Sequence, residues 1–469
     1  MSSSADFRKA LGRSLEHSLE HLDSLAQGPV AATATLAELR KRLGRPLERE
    51  GQDPAQVIDE LVADVRGGLL GSAGGRFFAW VIGGSLPAAL GADWLTATWD
   101  QNAALYACAP AEAVIEEVCG AWLKDLLGLP ARAGFAFTTG CQMAHFTCLA
   151  AARNSVMAGV GWNVERDGLI GAPVLRVFSN SQRHGSIERV LRFLGLGSAC
   201  VTDLAVDDRG RLCPEALEAA LADWTGPAIV LLCAGDINIG AYDDFERLIP
   251  IAHRHRAWVH VDGAFGLWAG VSPELWHLLQ GAAAADSWAT DGHKWLNVPY
   301  DSGYAFVADP GPHRASMSIR ASYLTHSEEA RDPFDWNPEW SRRGRGVATY
   351  AALRQLGRSG AAELVERCCR HARALVRGIG ALEGAEVLWK PTINQGLVRF
   401  PDPRTGAGPT EHDARTDRVI AAVNGTGKAF FGGTSWRGMR CMRISVCNWS
   451  TTERDVATAV SGVREALAV

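Results

Sequence analysis

The spacing of apolar positions changes twice along the chain. Up to about residue 84, SADFRKALGRSLEHSLEHLDSL and DPAQVIDELVADVRGGLL carry apolar residues at i, i+3 and i+4, the period of an amphipathic helix, and Asp53-Pro54 marks a helix start. This helical segment, 1–84, has too little apolar content for a core of its own, so it is expected to pack on another subunit or on the body of the chain. Over 85–345, short apolar runs alternate with helix-length segments: GFAFTTG with MAHFTCLAAARNSVM, VLRVFSN with SIERVLRFLG, AIVLLCAG with FERLIPIAHRHR, then AWVHVDGA, ADSWATD and SGYAFVA. Helices set between buried strands predict βαβ crossovers and a mainly parallel sheet, an α/β fold whose ligands collect at the carboxyl ends of the strands. Residues 312–341 are polar and aperiodic, which predicts a long functional loop. From 346 to 469, helical ATYAALRQLG and AAELVERCCRHARALVRGIGAL precede strand-like AEVLWK, GLVRF and MRCMRISVCNW and a last helix, TERDVATAVSGVREAL, predicting a small α+β domain.

Composition narrows the function classes. With 469 residues, 47% hydrophobic and 21% charged, the chain can build two or three cores, and global disorder is excluded. A formal charge of −5 with both signs interspersed leaves no footprint for nucleic acid or an anionic membrane. No apolar run reaches the roughly 20 residues of a membrane span, and the first residues lack a signal-peptide core, so a cytoplasmic protein acting on a small molecule is expected. The 11 cysteines show no CxxC and no Cys/His metal spacing, so no metal is expected and they read as small buried hydrophobes.

Two residues at strand ends stand out. Asp262 closes the apolar run AWVHVD, where desolvation costs several kcal/mol unless a cation faces it. The sequence holds six lysines: Lys9, Lys41 and Lys124 lie in amphipathic helices, and Lys390 and Lys428 adjoin turns. Only Lys294, in ATDGHKW, sits among strand ends. Pyridoxal 5'-phosphate would satisfy both groups, because it forms a Schiff base with a lysine amine and needs an aspartate to keep its ring nitrogen protonated. His184, at another strand end, is placed to stack on such a ring. The turn Thr138-Thr139-Gly140 before a helix start offers backbone N–H groups to the phosphate.

With these residues in order, the chain resembles the group II pyridoxal-phosphate-dependent amino acid decarboxylases, relatives of the aromatic L-amino acid and glutamate decarboxylases. The resemblance runs from about Arg76 to the C-terminus through FFAWVIGGSLPAALGADWL, HGSIERV, HVDGAFG, ADSWATDGHKW and MRISVCNW. It implies the aspartate-aminotransferase-like fold type I with a seven-stranded sheet, and a homodimer with active sites at the subunit interface and N-terminal helices wrapped around the partner. It also implies roles: Lys294 as the Schiff-base lysine, Asp262 at the ring nitrogen, His184 stacked on one ring face, Ala264 against the other, and His293 beside the lysine. Gly140, Cys141 and Gln142 fall where the family binds phosphate, although the family prefers small hydroxyl residues there.

Some positions depart from the pattern. After carbon dioxide leaves, Cα must be protonated, commonly by a tyrosine on the mobile loop a few residues before a tryptophan and a paired arginine. Counting back from Arg342-Arg343 and Trp336, that place holds Pro333 or Phe334; Tyr323, the loop's only tyrosine, matches a different position. Within the family, phenylalanine there goes with aldehyde synthases, so decarboxylation coupled to oxidative deamination, or a carbon–carbon lyase reaction, stands beside simple decarboxylation of an L-amino acid. The resemblance places Trp80, Val81 and Ile82 beside the substrate side chain, with Phe334 on the loop, and Asn102 and Ala104 where the aromatic enzymes carry larger apolar residues. WDQNAALY reads equally as a dimer-interface turn. Asp291, often asparagine in relatives, and Asp236 and Asn238 are further candidates for the site lining.

Overall fold

The computed structural model describes residues 4–319 and 330–468. The six apolar runs become strands β1 (Gly134–Thr138), β2 (Arg176–Asn180), β4 (Ala228–Cys233), β5 (Trp258–Asp262), β6 (Ser287–Asp291) and β7 (Gly303–Val307), and a seventh strand, β3 (Val201–Leu204), joins them. They form one sheet in the order β1-β7-β6-β5-β4-β2-β3. β2 to β6 pair in parallel, and β7 runs antiparallel to both β1 and β6. β1, β6 and β7 are buried along their whole length, which is why they read as continuous apolar runs without alternation.

Register brings the ends of five strands to one edge. Cys233 pairs with Asp262, Asp262 with Ala289, and Gly303 with both Asp291 and Thr138. The helix Cys141–Ala158 leaves this edge and lies under the sheet, burying Ala144, Cys148, Leu149 and Ala150 to Ala152 against Val177, Ile229, Ala289, Ala305 and Val307. Small residues on that face let the helix approach closely. The approach is tightest at Gly303, where a Cβ would lie 2.5 Å from the Gly140 backbone, so any other residue would push the helix start off the sheet.

By compactness the described chain forms two units. One comprises Gly83–Arg370 with Lys390–Gly396; the other takes the residues up to Ile82, His371–Trp389 and those from Leu397 on. The second unit holds helices Ser4–Ser24, Leu36–Leu43 and Pro54–Val65 together with most of a four-stranded sheet, ordered β10-β11-β9-β8. These strands are β8 (Glu386–Trp389), β9 (Gln395–Arg399), β10 (Gly432–Trp436) and β11 (Met439–Ser445). Within this unit the Arg76 guanidinium donates to the carbonyls of Leu25, Gly28, Gly427 and Lys428, and Phe77 stacks on Phe430 at 5.1 Å. Asp53 caps its helix with Pro54 at the first position, as the sequence predicts.

The polar stretch 312–341 is not all loop. A helix, Pro310–Met317, crosses its start, begun by Asp309 accepting the Gly311 N–H, and Pro333–Trp336 forms a 3₁₀ turn. Tyr323 lies outside the described residues. Among the described residues, no helix is long and apolar enough to cross a membrane.

Candidate active site

Asp262 ends β5 with one carboxylate oxygen engaged. Oδ1 accepts the Ala264 N–H at 3.1 Å and faces His145 Nε2 at 3.5 Å, while Oδ2 takes no hydrogen bond from the described residues. Burial opposes its charge, but His145, His184, Lys294 and the Ala264 amide outweigh burial and hold the carboxyl below its usual range. The acid is therefore ionised, with an oxygen to spare.

Lys294 follows β6 after a turn that only glycine fits, since a Cβ on Gly292 would fall 2.2 Å from the Tyr304 hydroxyl. Its Nζ lies 3.0 Å from Asp291 Oδ2. Burial would lower the amine's pKa, yet the Asp291 charge, with smaller help from Cys141 and Asp262, carries it above the ordinary lysine value. Asp291 is itself buried: Oδ1 accepts the Cys141 N–H at 2.5 Å and stands 3.5 Å from His293 Nε2. His293 Nδ1 accepts the Ser302 N–H at 3.1 Å, which places the ring's proton on Nε2 toward Asp291. The His293 ring stacks on Tyr300 at 4.2 Å, and burial lowers its pKa, so it is neutral.

The other expected residues divide into two groups. Ala264 and Asp291 meet the Asp262–Lys294 cluster directly, the Ala264 carbonyl accepting the Asp291 N–H at 3.0 Å. His184 caps helix Gly185–Phe193, its Nδ1 accepting the Ser186 N–H at 3.2 Å, and it is among the groups that lower the Asp262 pKa. Gly140, Cys141 and Gln142 open the helix Cys141–Ala158, with the Cys141 amide already held by Asp291. Asn102 and Phe334 come together elsewhere in the same unit. Asn102 Oδ1 accepts the N–H groups of Ala104 and Arg342, each at 3.2 Å, and Phe334 is buried with Ala104 and Leu105 and stacked on Trp340 at 5.1 Å. Trp80 belongs to the other unit, against Phe77 and Phe430. The Asp236 carboxylate holds the Asn238 and Ile239 N–H groups of its own turn.

Three residues escaped the sequence reading: His145, His260 and Ser287, all buried behind Asp262. One signal was present, because His260 and Asp262 are two apart on a strand and so share a face. Cys141 Sγ, His145 Nε2 and Asp262 Oδ1 lie within 4.8 Å of one another.

This site fits pyridoxal phosphate at two of its three contacts. An ionised oxygen without a partner among the described residues suits a protonated ring nitrogen, and a partly open amine suits the aldehyde. At the phosphate end the fit is conditional, because Asp291 occupies an amide that an anion at this helix start would use.

A mainly parallel sheet carrying an open carboxylate and a lysine on its carboxyl edge defines the class, a fold type I pyridoxal-phosphate enzyme. Oryza sativa TDC, crystallised with PLP and tryptamine, has the same fold at TM-score 0.92 and 23% identity, over 99% of this chain and 98% of its own. Mouse CSAD has it at TM-score 0.90 and 22% identity, over 98% of each chain. Residues 39–401 match the pyridoxal-dependent decarboxylase conserved domain, and the chain belongs to that family. An aromatic-L-amino-acid decarboxylase of Bacillus atrophaeus is 24% identical over 97% of this chain and 94% of its own. Human cysteine sulfinic acid decarboxylase is 27% identical over 78% and 75%, and a 4-hydroxyphenylacetaldehyde synthase of Rhodiola rosea 26% over 75% and 72%. The protein is a pyridoxal-phosphate-dependent amino acid decarboxylase, a carboxy-lyase, as its motifs imply.

Proposed function

We propose that this decarboxylase takes an L-amino acid at the carboxyl edge of β5 and β6, with Lys294 as the amine that binds the cofactor covalently. In this reading Asp262 partners the ring nitrogen, His184 and Ala264 flank the ring, His293 stands beside the lysine, and Gly140, Cys141, Gln142 and Asp291 surround the phosphate. Asn102 and Phe334 are the proposed substrate contacts within this unit; Trp80, the third expected contact, lies in the other unit. The observation that carries it is the spare, ionised oxygen of Asp262 on the same strand edge as the Lys294 amine. When bound, pyridoxal phosphate supplies an electron-poor ring that takes up the electron pair released as carbon dioxide leaves. Asp262 holds the proton at the ring nitrogen. Lys294 must shed its own proton before it attacks a carbonyl carbon, and Asp291, 3.0 Å away, is the nearest group to share it.

A homodimer completes the proposal. What supports it is helix Ser4–Ser24, which buries none of its residues and exposes Phe7, Leu11, Leu15, Leu19 and Leu22 along one stripe. A cytoplasmic setting is proposed from 11 free cysteines without a disulfide.

A second reading is favoured by Pro333 and Phe334, neither of which carries a proton to give. There, one amino acid, dioxygen and water yield carbon dioxide, aldehyde, ammonia and hydrogen peroxide. The test feeds aromatic and acidic amino acids to the purified enzyme and measures carbon dioxide, amine, aldehyde and peroxide. Amine equal to carbon dioxide is expected; aldehyde with peroxide and oxygen uptake selects the second reading, and no carbon dioxide from any amino acid overturns both. Sedimentation at micromolar concentration is expected to show a dimer of 50.3 kDa chains, and a persistent monomer removes that part.

A further inference from the structure

Behind Asp262 lies a buried polar file that the chemistry above leaves unused. Trp258, His260 and Asp262 alternate along β5, so all three face the same way. Trp258 Nε1–H donates to Ser287 Oγ at 2.9 Å, and that oxygen lies 2.9 Å from His260 Nδ1. His260 Nε2 is 2.9 Å from His145 Nδ1, and His145 Nε2 is 3.5 Å from Asp262 Oδ1. Polar groups at this depth destabilise a core unless each finds a partner, so the file is either a complete network or a defect.

A neutral imidazole has one N–H, which lets the file run in one of two directions. In the first, the Ser287 hydroxyl donates to His260 Nδ1, His260 Nε2–H to His145 Nδ1, and His145 Nε2–H points at the carboxylate. In the second every donor is reversed, and His145 Nε2 becomes a lone pair that takes its hydrogen from Cys141 Sγ, 3.3 Å away. The Asp262 charge decides between them. A hydrogen aimed at an anion is attractive and a lone pair aimed at it is repulsive, and in a dry interior neither effect is screened. Burial keeps both rings uncharged: it lowers the His145 pKa, and with His145 alongside it pushes that of His260 down to about 3.

We propose that Ser287, His260 and His145 are positioning residues, a one-way hydrogen-bond file that ends in an N–H on His145 Nε2 and keeps Asp262 charged and aimed at the cofactor's ring nitrogen. The proposal rests on the reading of Asp262 as that nitrogen's partner. His184 and Lys294 act on the same carboxylate from other elements and, like the file, favour its charged form.

The test uses holoenzyme with nitrogen-15-labelled histidine. Nuclear magnetic resonance is expected to find His145 and His260 both protonated at Nε2 and bare at Nδ1; hydrogens on Nδ1 of both rings overturn the proposal. A second arm loads enzyme with pyridoxal phosphate labelled at the ring nitrogen, whose shift reports its protonation. His145→Leu is expected to move that shift toward the unprotonated value and slow turnover about tenfold. His145→Gln, with an amide N–H near the place of Nε2–H, restores both. If Asp262→Asn leaves the ring nitrogen unchanged, the assignment of Asp262 fails. If Asp262→Asn moves it and His145→Leu does not, the file is packing alone and the positioning role falls.

Discussion

The large unit buries two groups of charges, and they are finished differently. On helix Pro110–Leu126, Glu116 pairs with Arg342, each side chain 1% exposed. The guanidinium meets both carboxylate oxygens, at 2.6 and 3.1 Å, and its other terminal hydrogens go to the carbonyls of Phe137 and Ala103, while the buried Nε–H has no partner among the described residues. At the sheet edge, Lys294 and Asp262 keep 20% and 17% of their side chains open, and Asp262 keeps an oxygen with no partner among the described residues. Buried charge alone therefore does not mark a reactive site. Unspent hydrogen-bonding capacity on a partly open charge does, because a charge sealed from solvent can only hold the chain together, while an open one can take a ligand.

The largest effect expected from this contrast is at Lys294. Lys294→Ala removes the nucleophile but leaves Asp291 held by the Cys141 amide, so turnover should vanish while the fold survives. Borohydride reduction followed by peptide mass spectrometry should find the cofactor adduct on the Lys294 peptide of the parent enzyme and no adduct in the variant. Steady turnover in the variant would place the chemistry elsewhere.

Glu116→Ala should do the reverse. It strands the Arg342 guanidinium in the interior, a loss of about 3 to 5 kcal/mol in stability for an uncompensated buried charge. The denaturant midpoint should drop accordingly, while below the transition the borohydride adduct still forms on Lys294. A loss under about 1 kcal/mol would show that this pair is not a scaffold and would erase the distinction.

How far the sequence alone reaches follows the same division. Six of the seven strands, their order in the chain and the anomaly of Asp262 and Lys294 are legible because buried strands read as apolar runs and a charge at the end of such a run violates the pattern; β3, VTDL, is a short and only partly buried edge strand that shows no such run. The file behind Asp262 is not, since Ser287, His260 and His145 become neighbours only through the pairing of β5 with β6 and the seating of helix Cys141–Ala158. Asn102 reads as a pocket residue or an interface turn; in the fold its side-chain oxygen is consumed by the Ala104 and Arg342 amides. The helix Pro310–Met317 is hidden by its own start, DPGP, which looks like a turn although Asp309 and Pro310 are a capping residue and a first-turn proline. Composition predicts cysteine burial only in part: Cys119, Cys141, Cys148, Cys368, Cys369, Cys441 and Cys447 are buried thiols, but Cys200, Cys213 and Cys233 are half-buried and Cys108 is exposed.

The smallest effect tests the closed group from within. Glu112 lies one turn before Glu116, 2% exposed, and neither of its oxygens has a hydrogen-bond partner among the described residues. Burial first, and then the charge of Glu116, raise its pKa, with Arg342 and Arg343 opposing. A carboxyl whose folded pKa is raised destabilises the native state above its unfolded pKa, because ionisation is then easier in the unfolded chain; below that pKa both states are protonated and the penalty disappears. Glu112→Gln should therefore raise stability at pH 8 by about 1 kcal/mol, seen as a thermal midpoint higher by about 1 to 2 °C, and leave it unchanged near pH 3.5. Were the midpoint to fall at pH 8 instead, the Glu112 charge would be needed where it sits, and the Glu116–Arg342 group would have to be counted as open like the edge that holds Lys294.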